Sequence, residues 1–213
     1  RTRGATFSIS SCVELNGRIF ATCAGLGNVP PHQLFEFDCA GNWVATYFQS
    51  AGSAAASVWG WRDGCVGFDP SLSSGALLYF GYEAGVDVVD PAALTPGGTI
   101  VPVATFANAT VGTFRGMAWD PTGDGGAGSI WTSNFGGPLY EVSGTAGGTA
   151  GAAGTIITTY PTPLAPGDWS TYGLAYDPGT GNLWVNSAPN AGQIAEIDLT
   201  GTPGTLTGNS FDR

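Results

Sequence analysis

The sequence predicts an all-β protein: a β-propeller-like array of four blades, each built of four antiparallel strands. Three observations lead there. One short motif recurs four times at a near-constant interval. Each copy is followed by three further short apolar strands. No 3.6-residue apolar period persists for three turns, so helices are expected to be nearly absent.

The first strand of each blade is an alternating segment closed by a turn signal. Its copies are Cys12-Val13-Glu14-Leu15-Asn16-Gly17, Cys65-Val66-Gly67-Phe68-Asp69-Pro70, Gly116-Met117-Ala118-Trp119-Asp120-Pro121 and Gly173-Leu174-Ala175-Tyr176-Asp177-Pro178. The turn residues Asn16, Asp69, Asp120 and Asp177 lie 51 to 57 residues apart, close to the length of a four-stranded blade. A second, apolar-aromatic strand follows at Ile19-Phe20-Ala21, Leu78-Tyr79-Phe80, Ile130-Trp131-Thr132 and Leu183-Trp184-Val185. The third runs Leu34 to Asp38, Val86 to Asp90, Leu139 to Val142 and Ile194 to Asp198. The fourth is Thr-rich and ends on an aromatic residue: Trp43 to Phe48, Thr99 to Phe106, Thr155 to Tyr160 and Thr205 to Phe211. The blades are thus expected at about 4–50, 57–106, 112–160 and 170–211, in one domain spanning 1–213. A β-sandwich would not repeat one four-strand unit in the same order.

The blade pattern Gly173 to Pro178, then Gly181-Asn182-Leu183-Trp184-Val185, then Ile194 to Asp198, resembles NHL, YVTN and SMP-30-like propellers. The stretch Trp61-Arg62-Asp63-Gly64, then Leu78 to Val86, resembles a subset found in large secreted bacterial repeat proteins. The resemblance covers essentially the whole chain and rests on structural motifs, so it implies a fold more than an activity. It departs in size, because such propellers usually carry six to eight blades.

Composition narrows the classes. Apolar residues make up 43%, enough for a core, while charged residues are only 10%, against roughly 25% in an average soluble protein. The 25 aromatic residues (7 Trp, 7 Tyr, 11 Phe) argue against disorder. All six basic residues are Arg and the net charge is −10. A nucleic-acid partner is therefore not expected, since phosphate needs a basic face. Nor is membrane insertion, because no apolar run approaches the roughly 20 residues of a span. Cys12, Cys23, Cys39 and Cys65 all fall in the first third without a C-x-x-C spacing. An even, clustered set predicts two disulfides and an oxidising, extracellular or cell-surface location. Three connectivities stay open. A chain starting at Arg1 rather than Met fits a mature secreted protein with its leader removed.

The blades run in phase from an innermost strand to an outermost one, which leaves no strand over to stitch a ring shut. A closed monomer, an eight-blade ring of two chains and an open stack all remain, the closed monomer being the default. Terminal blades of repeat proteins need a polar cap, and neither Arg1-Thr2-Arg3 nor Phe211-Asp212-Arg213 supplies an obvious one.

Candidate chemistry is sparse. His32, the only His, sits in a Pro-rich loop and reads as a solvated side chain without catalytic partners. Glu36, Glu141 and Glu196, with Asp87 one position early, recur on the third strand. They could form a polar ring or a calcium site, but alternation on a half-exposed strand, or hydrogen bonding to a neighbouring blade, is the stronger reading. Asp120 to Gly126 resembles a calcium-loop fragment without the closing Glu, so a hairpin loop is expected. Arg62-Asp63 and Arg115 read as ion-pair formers rather than an axial anion site. Cys12 and Cys65 stand at equivalent motif positions, and Cys12–Cys23 across one hairpin is a competing bridge. Trp61, Trp119, Trp131 and Trp184 read as blade-to-blade core, which leaves Trp59 and Trp169 as surface binding candidates. Asn108-Ala109-Thr110 fits a glycosylation acceptor.

No catalytic, cofactor or metal residue is expected; calcium is the one cofactor the pattern leaves room for. The expected role is a non-catalytic extracellular structural or interaction protein. Its partners would be copies of itself in an oligomer, filament or surface layer, or another extracellular protein or glycan. The alternatives are a propeller hydrolase or lyase with an axial divalent cation, as the resemblance permits, and a carbohydrate-binding adhesion module.

Overall fold

All four sheets form in the computed structural model, which describes residues 9–23, 32–49, 64–134, 137–160, 173–186, 193–200 and 205–212. Blade A holds β1 (Ile9–Leu15), β2 (Arg18–Cys23), β3 (Gln33–Asp38) and β4 (Trp43–Phe48). Blade B holds β5 (Gly64–Gly67), β6 (Leu77–Gly81), β7 (Val86–Val89) and β8 (Ala104–Phe106). Blade C holds β9 (Gly116–Asp120), β10 (Ser129–Ser133), β11 (Leu139–Ser143) and β12 (Ile156–Tyr160). Blade D holds β13 (Leu174–Asp177), β14 (Asn182–Asn186), β15 (Gln193–Asp198) and β16 (Thr205–Asp212). Every sheet is an antiparallel meander in chain order. The first strands pack in succession, β1 on β5, β5 on β9 and β9 on β13, so they line the inside of the propeller.

Turn chemistry explains the hairpins. Asn16 and Gly17 both have positive φ, 53° and 75°, the geometry of a two-residue turn matched to strand twist. Elsewhere the motif's Asp starts the turn by bonding its own backbone. The Asp69 carboxylate accepts from Ser71 N at 2.9 Å, Asp120 from Thr122 N at 2.8 Å and Asp177 from Gly179 N at 2.8 Å.

Alternation along each strand gives every blade an onward face and a backward face. Three apolar seams join them. Phe20 and Leu34 meet Leu78, Phe80 and Val89 between blades A and B. Tyr79 and Val88 meet Met117, Ile130 and Val142 between B and C. Trp131 and Tyr160 meet Leu174, Leu183 and Ile197 between C and D. Each large side chain so buried contributes about 1.5–3 kcal/mol, so the seams outweigh any exposed ion pair at roughly 0–1 kcal/mol. A polar latch crosses each seam as well. Phe48 N donates to Gly98 O and Ile100 N to Phe48 O at 2.9 and 2.7 Å; Asn108 Nδ2 donates to Gly154 O at 2.9 Å; Tyr160 Oη donates to Leu199 O at 2.9 Å.

Several expectations change. The fourth strand of blade B is only Ala104–Phe106, not Thr99 to Phe106. Thr99 instead bridges in parallel to Phe48, clipping blade B to the edge of blade A, and Pro102 has no N–H to give a ladder. A 3-10 turn at Pro91–Ala93 and a helical turn at Gly123–Gly126 interrupt the strands. Between third and fourth strands, the register slips at Glu36/Phe37, Glu141/Val142 and Ala195/Ile197, a bulge at the same place in blades A, C and D. Blade B carries Val88 there.

Candidate interaction faces and a seam cavity

The strand register decides where each acidic side chain goes. Glu36 lies opposite Phe20, Glu141 opposite Trp131 and Glu196 opposite Trp184, all on onward faces. Asp87 lies opposite Phe80, which packs toward blade A, so it occupies the backward face. Three of the four acids share one side, and the fourth does not. All four accept hydrogen bonds within their own blade rather than from a neighbouring one, and Glu36, Asp87 and Glu196 are buried rather than half-exposed. Glu36 takes Arg18 Nη1 at 2.8 Å and Tyr47 Oη. Asp87 takes Thr105 Oγ1 at 2.9 Å and Glu141 takes Ser129 Oγ at 2.8 Å. Glu196 takes Asn182 Nδ2 at 3.0 Å, Thr207 Oγ1 at 2.8 Å and Asn209 Nδ2 at 2.6 Å. Burial pushes the Glu141 carboxyl above the usual range, whereas hydrogen bonds from Asn182, Asn209 and Thr207 hold Glu196 below it.

A cavity of about 260 Å³ opens at the A–B seam, lined by Leu15, Asn16, Arg18, Phe20, Glu36 and Pro91. Its polar wall is the Arg18–Glu36 pair. Tyr47, buried and donating to Glu36, has its phenol pushed up by burial and by that carboxylate. Arg18 is half exposed, at 45% of its side chain, so the pair is solvent-screened.

In the Asp120–Gly126 loop the carboxylates serve the chain's own donors, as a hairpin loop requires. Asp124 sits in left-handed geometry at φ 50° and is buried. It accepts from Ser143 Oγ at 2.5 Å, Ala150 N at 2.7 Å and Thr149 Oγ1 at 2.9 Å. Burial raises its pKa, but these bonds together outweigh burial and hold the carboxyl below its ordinary value. A Cβ at Gly148 would stand 1.7 Å from Asp124 Oδ2, so glycine is required for the approach. Nothing local in the sequence marks this clamp, because its three donors lie 19 to 26 residues away.

His32 is buried rather than solvated, and burial lowers its pKa; its carbonyl accepts from Gln49 N at the end of β4. The structure does not support the predicted disulfides: no sulfur–sulfur bond joins Cys12, Cys23, Cys39 or Cys65 in it. Geometry explains this. Cys12 is paired across the hairpin with Ala21, not Cys23. Cys39 lies at the Arg18 end of the sheet. Cys65 points onward into the B–C seam, while Cys12 faces backward, away from blade B. The two are therefore not equivalent positions. Asn108 is half-buried and its amide is the B–C latch; its Oδ1 also accepts from Thr110 N at 2.9 Å. Arg115 is half-buried beside β10, its N–H on Ser133 O. Trp59, Trp61, Arg62, Asp63 and Trp169 lie outside the described residues.

The end blades present the remaining surfaces. Ala175 on blade D is exposed, beside half-buried Trp184. On the opposite end, the backward face of blade A carries half-buried Ile19 and Phe37, with Trp43 63% exposed. Among the described residues, no core cluster joins blade D to blade A. No helix among them is long and apolar enough to cross a membrane.

Solved structures with a similar backbone agree with the architecture. Raptor from Chaetomium thermophilum superposes over 98% of this chain and 17% of its own, at TM-score 0.54 and 12% identity. A Bacteroides thetaiotaomicron protein of unknown function matches over 96% of this chain and 44% of its own, at TM-score 0.54 and 14% identity. A GH43 glycoside hydrolase engineered for endo-xylanase and exo-arabinofuranosidase activity matches over 94% and 40%, at TM-score 0.53 and 10% identity. The chain thus spans less than half the length of each of these three. At such identities the likeness is one of fold alone. No family model matches the chain, and no curated protein matches it in sequence. The comparisons support a β-propeller fold, and the sheets of this chain give it four blades among the described residues.

Proposed function

We propose that this chain is a non-catalytic extracellular interaction propeller of the NHL, YVTN and SMP-30-like kind, working through its blade faces. Its partners are copies of itself or another extracellular protein or glycan. The observation that carries this reading is how the recurring acids are used. Glu36, Asp87, Glu141 and Glu196 each accept hydrogen bonds inside their own blades. Hydrolytic or metal chemistry needs carboxylates converging on one shared point. Here they are spread over four sheets and two kinds of face. The low charge, the absence of Lys and the many tight turns suit a durable extracellular surface protein.

The test combines metal content and turnover. Purified protein, dialysed against calcium-free buffer, is analysed by mass spectrometry for bound ions and assayed against lactones and aryl glycosides. The expected result is neither a stoichiometric ion nor turnover above buffer. A calcium ion held one per chain, together with turnover, would sink the reading.

A further inference from the structure

We propose that the cavity at the A–B seam is a binding site for one neutral sugar ring, held by the Arg18–Glu36 pair against an apolar wall. The inference rests on the interaction reading above and names the ligand class and the place where it binds.

The repeat supplies its own control. In blades A, C and D the third-strand Glu on the onward face takes a hydrogen bond from the first residue of the second strand. The donor is Ser129 in blade C and Asn182 in blade D, at 2.8 and 3.0 Å. Short neutral side chains are therefore sufficient for that task. Blade A uses Arg18 instead, whose Nη1 donates to Glu36 at 2.8 Å. The residue across the hairpin changes with it. Ser129 is paired with Asp120 and Asn182 with Asp177, whereas Arg18 is paired with Leu15. Blade A thus carries an apolar side chain and a guanidinium where C and D carry a carboxylate and a small polar group. The cavity of about 260 Å³ opens at this exchange, with both residues in its lining.

The pair leaves hydrogen-bonding capacity in that space. A guanidinium has more N–H donors than one carboxylate bond uses, and a carboxylate more lone pairs than two partners fill. Among the described residues Arg18 commits Nη1 to Glu36, and Glu36 accepts from Arg18 and Tyr47. Arg18 is also the exposed partner, at 45% of its side chain against 11% for Glu36, so its other donors are within reach of a ligand. Donors and acceptors stand side by side, which matches hydroxyl groups, since each hydroxyl gives and accepts. An anion is repelled by Glu36 and by the net charge of −10, and a cation meets the Arg18 guanidinium. A neutral ligand remains. Leu15, Phe20 and Pro91 complete the wall and suit the C–H face of a ring. The volume lies below the roughly 300–1,000 Å³ of sites for drug-sized ligands, which sets the size at one ring.

Saturation-transfer NMR and calorimetric titration with the methyl glycosides of glucose, galactose, mannose and N-acetylglucosamine test this. Arg18→Asn installs the donor that blade D uses, so Glu36 keeps a partner and the variant is expected to melt as the wild type does. Pro91→Trp fills the cavity from the blade B side. Circular dichroism reports whether each variant is folded; should Pro91→Trp melt early, Arg18→Asn alone decides. At least one methyl glycoside is expected to bind the wild type, and to bind each folded variant about tenfold more weakly or worse, as loss of a charged hydrogen bond requires. Methyl glucuronide, an anionic sugar, is expected to bind more weakly than its neutral counterpart. Binding of none of the neutral glycosides, binding unchanged in a folded variant, or tighter binding of the glucuronide would each overturn the site. Any of these in protein without bound calcium and turnover leaves the interaction reading standing. Bound calcium with turnover overturns the interaction reading itself, and the site with it.

Discussion

At the scale of single residues, polar side chains in this propeller act as internal fasteners. Asp124 is the clearest case, a buried carboxylate that ties the β9–β10 loop to Ser143, Thr149 and Ala150. Its pKa is depressed in the folded chain, so the ionised form favours folding. That stabilisation is complete above the ordinary value of 3.8 and is lost as pH falls through the lower folded value. Asp124→Asn turns an NH₂ donor toward these donors and should cost roughly 2 kcal/mol at neutral pH. Denaturant unfolding at several pH values should show the gap to wild type closing below about pH 3.8. An unchanged gap at low pH would mean that shape, not charge, makes the clamp. His32 and Asn108 show the limit of reading residues one at a time. Their loops were legible, but the burial of His32 and the reach of Asn108 to Gly154 depend on chain 46 residues distant in the second case. No local pattern encodes a contact of that range.

At the scale of strands and sheets, most of the architecture was written in the chain. Alternation, turn residues and the aromatic at the centre of each second strand specify the sixteen strands, in four meanders, found among the described residues. What slipped was facing. The motif alignment set Cys12 beside Cys65, but pairing puts Cys12 opposite Ala21 and Cys65 opposite the aromatic Tyr79. A one-residue offset in a strand reverses the face of a side chain, and turn motifs do not report that offset. The same pairing makes a prediction at Gly67. An added Cβ would lie 2.5 Å from the Trp119 ring and 2.7 Å from the Tyr79 ring, which already stack at 5.2 Å between centroids. Gly67→Ala should therefore destabilise by about 1–3 kcal/mol through overpacking. That corresponds to a drop in melting temperature of several degrees for a chain of this size; an unaltered melting temperature would show that the seam has slack.

At the scale of the whole molecule, the core clusters of the described residues join each blade to its neighbours in the chain. If those three seams act independently, stability is close to a sum of blade and seam contributions. Leu183, fully buried in the C–D seam, tests this. Leu183→Ala should cost about 2–5 kcal/mol, and the loss should be local. Hydrogen exchange is expected to speed up first in β13 to β16, with β1 to β8 keeping their protection. Uniform loss of protection would mean that the four blades unfold as one unit. The bulges add a consequence of their own. Blades A, C and D each distort the ladder beside the outermost strand, at the position of the recurring Glu. A kinked, more strongly twisted rim is a poor template for another strand. Lateral accretion of β-structure onto the rims of these three blades is thereby discouraged, which leaves the regular edge of blade B as the one rim without that protection among the described residues.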